Sequence, residues 1–255
     1  MFTFLKSKYT YSLEGETVDV RANELKIRFD PSNYQKITRL RNIHKDEQCV
    51  VMLTGPSLNQ MDCSLLKEHP FVLGVNGAFI KRNNFRYFFC SSPNFYLKNR
   101  DAIGNIDTDQ FVFSSLIPFK KSRKSVYILL DRKAVFTRTP MKKFRPNLLF
   151  KVSWGPTVLL DLVIPSCLWM GFSEIILLGA DYTIKNFGHF YDNTNSEIQH
   201  SIQIDHEQEV RLAHHGFDTL LRYLKRTKKS IKIYNCSLQS SLDHFQKRRL
   251  EDIIR

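Results

Sequence analysis

Four short segments carry small or polar residues where an apolar run stops: Thr54-Gly55-Pro56-Ser57, Val75-Asn76-Gly77, Cys90-Ser91-Ser92-Pro93 and Gly179-Ala180-Asp181. Glycine lets a ligand oxygen approach the backbone closely, and the unpaired N–H groups at a helix start stabilise an anionic oxygen. Ser57 is of N-cap type, and Leu58, Met61, Leu65 and Leu66 supply an apolar helical face behind it. The chemistry that suits this spacing is phosphate binding. A plain turn with a capping serine uses the same residues, and neither the Gly-x-Gly-x-x-Gly nor the Walker A pattern fits.

A general base at neutral pH is most simply a histidine, whose pKa lies near the working range. His214 and His215 stand side by side, His189 lies in Gly188-His189-Phe190-Tyr191-Asp192, and His206 is a further candidate. Histidines on a helix surface read the same way. Asp181 and Asp192 are the carboxylates that could meet on a magnesium ion, but they form no Asp-x-Asp pair, and the simpler role of Asp181 is to end a strand and order a loop. The expectation is a site with no metal. The five cysteines are widely spaced with no Cys-x-x-Cys, which indicates neither a zinc site nor a disulfide framework.

These residues need elements to hold them. Short apolar runs at 49–53, 71–75, 85–90, 110–113, 125–130, 174–178 and 231–234 read as strands of a buried sheet. Helical stretches fall between them: after Ser57, at 93–101, from Pro156 to Met170 with Gly171 past the end, at 207–228 and at 242–254. The alternation predicts an α/β, Rossmann-like fold, with a mostly parallel sheet, helices on both faces and a lid-like polar loop at about 183–206. Ligands of such sheets bind beyond the carboxyl ends of the strands, where the four segments lie. Residues 1–48 read as an N-terminal extension packed on the core, with two short strands in 17–29 and a helix in 34–44; the catalytic domain is 49–255.

The chain has 255 residues, 42% of them apolar, which is enough for one sizeable core. No apolar run reaches the roughly 18 residues that span a bilayer, and the start lacks the pattern of a signal peptide, so a cytoplasmic address is expected. The net charge of +13 is uneven: residues 115–151 hold eleven Lys or Arg against Asp131 alone. Such a field suits anionic partners. The 242–254 segment, with Lys247, Arg248 and Arg249 beside Leu250, Ile253 and Ile254, predicts a basic amphipathic helix able to rest on an anionic membrane, or a docked terminal helix with a solvated face.

In order and spacing the motifs resemble the CMP-sialic acid-dependent sialyltransferases of glycosyltransferase family 42. Leu53-Thr54-Gly55-Pro56-Ser57-Leu58 resembles their Gly-Asn-Gly-Pro-Ser-Leu turn, and Val75-Asn76-Gly77 resembles their second strand end, where an asparagine contacts the nucleotide. Ser91-Ser92-Pro93 is similar to their Asn-Pro-Ser segment, and Ser153-Trp154-Gly155 to the Thr-Ser-Gly before a helix. Gly171 to Tyr182 resembles Gly-Tyr-Lys-Glu-Ile-Tyr-Leu-Ser-Gly-Ile-Asp-Phe, and Thr183 stands where the family has a phosphate-holding tyrosine. A wider set resembles the chain as well, including flagellin-glycosylation accessory factors and hydroxymethylpterin pyrophosphokinase-like proteins.

The resemblance implies a metal-independent transferase that moves a sialic acid or related acidic sugar from a CMP donor to a surface-glycan acceptor, one that can be lipid-linked. It implies nucleotide contacts from Thr54, Gly55, Pro56, Ser57, Asn76, Ser92, Ser153, Trp154, Gly155, Gly179 and Asp181. Lys151 and Thr183 are then candidates for the phosphate, and the family's histidine base falls at His214, with His215 next and His189 as a rival. No cofactor beyond the CMP-sugar substrate and no nucleic acid are implied, while a second copy of the chain and an anionic membrane are further partners to consider. Two other readings stand: a magnesium-dependent pyrophosphokinase acting on a pterin-like alcohol, and a non-catalytic polyanion-binding protein.

Overall fold

The structure, a computed structural model, describes residues 10–13, 16–131, 140–155, 157–183, 188–189 and 196–254. Its centre is one eight-stranded, all-parallel sheet in the order β10-β9-β8-β3-β4-β5-β6-β7. The strands are β3 (Gln48–Met52), β4 (Val72–Val75), β5 (Asn84–Cys90), β6 (Asp107–Ser114), β7 (Ser125–Ile128), β8 (Glu174–Leu178), β9 (Lys232–Asn235) and β10 (Gln246–Lys247). A separate antiparallel hairpin of β1 (Thr10–Leu13) and β2 (Glu16–Asp19) precedes them. The chain therefore lays down β3 to β7 in one direction, returns to place β8 on the free side of β3, and continues outward. The reversal puts the topological switch point between β3 and β8, the usual crevice for a ligand.

The helices are α1 (Val20–Arg28), α2 (Pro31–Arg39), α3 (Pro93–Gly104), α4 (Ile164–Met170) and α5 (Ser196–Thr227). Strand side chains alternate between the two faces. Cys49, Val51, Leu73 and Ile175 pack with residues of α2, α4 and α5. Val50, Met52, Val72 and Ile176 pack with Ile27 of α1 and Ile103 of α3. Both faces are thus covered, as a parallel sheet requires.

The β7 edge is closed by side chains. The Asn33 amide donates to the Tyr127 carbonyl at 3.0 Å and accepts from the Tyr127 N–H at 2.8 Å, in the manner of a neighbouring strand. Lys36 Nζ adds a bond to the Ser125 carbonyl at 3.0 Å.

Several elements differ from the sequence reading. Of 17–29 only the first part is strand; Asp19 accepts from the N–H groups of Arg21 and Ala22, and this cap starts α1 instead. No α-helix follows Ser57, only two 3-10 turns, over Pro56–Gln60 and Cys63–Leu66. The helix expected from Pro156 begins as a π-helical turn, Leu159–Val163; Pro156 itself lies outside the described residues.

α5 starts at Ser196, so 196–206 is helix where the lid was expected, and residues 184–187 and 190–195 of that lid lie outside the described residues. The terminal basic helix is absent. Residues 242–254 form an edge strand and a 3-10 turn, with Leu250 buried and Lys247 bonded to the Ser240 carbonyl at 2.7 Å. Arg248 stacks on Tyr234 at 4.9 Å. Lys247 and Leu250 of that segment are thus engaged in packing, while Arg248 and Arg249 stay exposed. Among the described residues no helix is long and apolar enough to cross a membrane.

Candidate functional site

A cavity of about 440 Å³ opens at the carboxyl ends of β3, β4, β5 and β8. Thr54, Gly55 and Pro56 come from the β3 end, Asn76 from β4, Ser91 and Ser92 from β5, and Gly179, Asp181, Tyr182 and Thr183 from β8. Thr157, Gly188, His189 and Glu209 complete most of the wall. Four strand ends separate in sequence thus converge at the switch point. Of the expected site residues this cavity gathers Thr54, Gly55, Pro56, Asn76, Ser92, Gly179, Asp181, Thr183 and His189.

The Thr54–Ser57 turn is built differently from a phosphate cradle. Gly55 N–H donates to the Gly179 carbonyl at 3.0 Å, so the β3 and β8 ends are stitched together past their last strand residues. A Cβ on Gly55 would stand 2.5 Å from that carbonyl and 2.6 Å from Asp181 Oδ2. Here the glycine makes room for the neighbouring strand end rather than for a ligand. Ser57 is not the N-cap: Pro56 opens the 3-10 turn, and Ser57 N–H donates to Asp181 Oδ2 at 2.8 Å. The carboxylate occupies the place an anion would take. Gly179 has φ +68°, the left-handed region that glycine enters without strain.

Ser237 braces the same junction, and the sequence reading missed it. Its hydroxyl accepts from the Ala180 N–H at 2.9 Å and from the Ser57 hydroxyl at 2.8 Å. Ser237 stands two residues past the end of β9, so the available signal was a fifth strand end, Asn235-Cys236-Ser237. Thr157 and Glu209 reach the cavity from a loop and from α5, and no local pattern marks them.

Asn76 and Asp181 stand out chemically. Asn76 holds φ +47°, a conformation that costs a non-glycine residue energy and that asparagine tolerates better than most. Asn76 Oδ1 and Asp181 Oδ1 are both buried and lack a hydrogen-bond partner among the described residues. Both residues line the cavity, and an amide oxygen and a carboxylate there suit a ligand that donates: hydroxyls, an amine or an amide. Among the described lining residues, the charged groups are Asp181 and Glu209; Lys and Arg are absent from them.

His189 Nδ1 lies 2.9 Å from Thr54 Oγ1, which orients the imidazole at the cavity wall. Tyr182 OH donates to Thr157 Oγ1 at 3.1 Å, and burial raises its phenol far above the ordinary range. One turn on, Asp161 is buried within the π-helical turn, where desolvation pushes its carboxyl well above the usual carboxylate value and favours the neutral acid.

The remaining expected residues lie outside this cavity. The His214 ring packs 5.2 Å from His244, and burial, then His244, lowers its pKa. Five residues at about 100° each put His214 on the opposite edge of α5's core-facing stripe from Glu209. His215 is exposed. For His206 only the backbone, within α5, is described.

Lys151 pairs with Glu24 at 3.1 Å and lines a different groove. Ser153 bonds the Lys143 carbonyl. Trp154 packs on the core, and a Cβ on Gly155 would meet Leu160 at 2.5 Å, so these residues serve the π-helical turn. Among the described residues no group of three His, Cys, Asp or Glu is placed to hold a metal ion.

No protein-family model matches the chain, and no curated protein matches it in sequence. Among solved structures it is similar to the sialyltransferase CstII from Campylobacter jejuni in complex with the substrate analogue CMP-3FNeuAc, at TM-score 0.49 and 14% identity, covering 78% of this chain and 86% of that one. A complex of the sialyltransferase CST-II with trisaccharide acceptor and CMP matches at 0.46 and 13%, covering 78% and 85%. The monofunctional alpha-2,3-sialyltransferase Cst-I from Campylobacter jejuni matches at 0.46 and 14%, covering 78% and 79%. At these values the neighbours assign neither reaction nor substrate to this chain.

Proposed function

We propose that the protein is a glycosyltransferase that takes an acidic sugar from a CMP-activated donor, with the nucleoside end of the donor in the cavity between β3 and β8. One observation carries the reading: the acceptor-bearing residues Asn76 and Asp181, from the ends of β4 and β8, line a single nucleotide-sized cavity at the switch point. A nucleoside offers ribose hydroxyls and a base amine to such acceptors. The motif order from Thr54 to Asp181 supports the same choice. The phosphate lies away from Asp181, toward the hydroxyls of Ser92, Thr157 and Thr183.

His189 takes the acceptor proton in this reading, because it stands at the cavity wall and His214 does not. As the acceptor oxygen bonds to the anomeric carbon, the bond from that carbon to the phosphate oxygen breaks and its electron pair leaves with CMP. The site accelerates this step only so far as it holds the departing phosphate more tightly than the intact donor. The reaction needs no metal or cofactor beyond the donor. The acceptor is a glycan, and the protein works in the cytoplasm on nucleotide-activated sugar.

The second reading, a magnesium-dependent pyrophosphokinase acting on a pterin-like alcohol, is favoured by the two carboxylates and the lack of Lys or Arg among the described lining residues. A thermal-shift series with CMP, CDP, UDP, GDP and ATP, each with and without magnesium, separates the two. Stabilisation by CMP without metal supports the transferase; stabilisation by ATP only with magnesium overturns it.

A further inference from the structure

The cations missing from the described cavity wall are concentrated at the β7 edge. Between residues 20 and 41, α1 carries Arg21, Lys26 and Arg28, α2 carries Lys36 and Arg39, and Arg41 follows α2. The acids of this segment are Glu24 and Asp30, each 8% exposed; Glu24 is paired with Lys151, and Asp30 caps α2. Between residues 20 and 41 every charged side chain that reaches solvent is therefore basic; the exposed acid at the start of α1 is its cap, Asp19.

The same layer holds exposed rings. Phe29 is 74%, Tyr34 55% and Phe150 68% exposed, and among the described residues these are the large aromatics left open to solvent. Arg28, Tyr34, Phe150 and Lys151 also line one groove of about 310 Å³, with the buried Ile27 and Ile37 behind them. A soluble polyanion uses cations and rings but has no use for an aliphatic floor. An anionic bilayer uses all three: lipid phosphates meet the cations, the interface accepts the rings, and hydrocarbon fills the groove.

We propose that the groove where α1 meets α2, with Tyr34 and Phe150 beside Arg28 and Lys151, and with Lys26 and Phe29 flanking Arg28 along the chain, docks the protein on an anionic lipid bilayer. This face is distinct from the cavity, and the proposal does not depend on the reaction performed there.

The test is co-sedimentation of the whole chain with vesicles of phosphatidylglycerol and phosphatidylcholine, against phosphatidylcholine alone. Binding is expected to the mixed vesicles only and to weaken as salt rises. Phe29→Ser and Phe150→Ser should each weaken it about tenfold, and Lys26→Glu with Arg28→Glu should abolish it. Lys67→Glu with Lys81→Glu, the same charge change at a separate groove, should leave most of it.

Equal loss from both charge reversals would mean diffuse attraction by net charge and overturns the proposal. So does binding that ignores the two serine variants. Preference for a single-stranded oligonucleotide over vesicles would make the face a nucleic-acid surface, and a dimer split by Phe150→Ser would make it a contact between copies of the chain. Thermal unfolding of each variant checks its fold, which these exposed positions should preserve.

Discussion

The cavity at the β3–β8 junction and the α1–α2 face at the β7 edge are opposites in charge and in satisfaction. Among the described residues the first is lined by two carboxylates and no Lys or Arg, in a chain whose net charge is +13. The second buries Glu24 and Asp30 and leaves the rings of Phe29, Tyr34 and Phe150 exposed among basic residues. Net charge is therefore no guide to the charge that lines a particular cleft of this molecule. Field strength over a surface and hydrogen-bond demand within a cleft are separate quantities, and the fold places them apart.

The sharpest way to break this contrast is through the histidines. If chemistry belongs to the cavity, His189→Ala should slow transfer about 10²- to 10⁴-fold while His214→Ala changes it by a few-fold at most. Steady-state rates with a CMP-sugar donor decide between them, and the reverse ranking would move the reaction to the far edge of α5. Gly55→Ala comes next, since its methyl would meet backbone and carboxylate at 2.5–2.6 Å. A loss of about 1–3 kcal/mol in urea-induced unfolding is expected. An unchanged midpoint would mean that the junction has slack.

Asn76→Gly separates ligand binding from backbone strain. Glycine adopts the observed φ of +47° freely, so stability should hold or rise while nucleotide affinity falls about tenfold. Isothermal titration reads the affinity; retained affinity would remove Asn76 from the site.

The smallest effect concerns pH. His44, His69 and His214 all have pKa values lowered from 6.5, in each case chiefly by burial. The native state thus binds protons less readily than the unfolded chain. The stability these groups contribute is present above about pH 6.5 and lost as pH falls through their folded values. Melting temperatures taken downward from pH 8 should decline in that window, and His44→Gln should flatten the decline.

Much of this was open to reading in the chain itself. The run at 174–178 and the stretches around Val50, Phe88 and Val126 are strands because each is short, apolar on both faces and ended by a turn residue. Such information is local and survives without the rest of the molecule. It also located the rim, since strand ends in a parallel sheet share one edge. The segment 17–29 misled because its loose alternation says less than the Asp19 cap that starts α1. At 242–254 the helical spacing of Leu250 and Ile253 yielded to pairing of β10 with β9.

What the sequence by itself determined was a parallel α/β sheet with its polar residues gathered at the carboxyl edge. Only the tertiary structure decided what those residues do there. Asp181 is 124 positions from Ser57 and Ser237 is 180, yet both close on the same turn and fill the space that glycine seemed to leave for phosphate. Similarly, His189 meets Thr54 across 135 residues while His214 faces His244. Residue type and spacing set which groups can react. Which of them meet depends on long-range packing, which carries no mark in the local pattern.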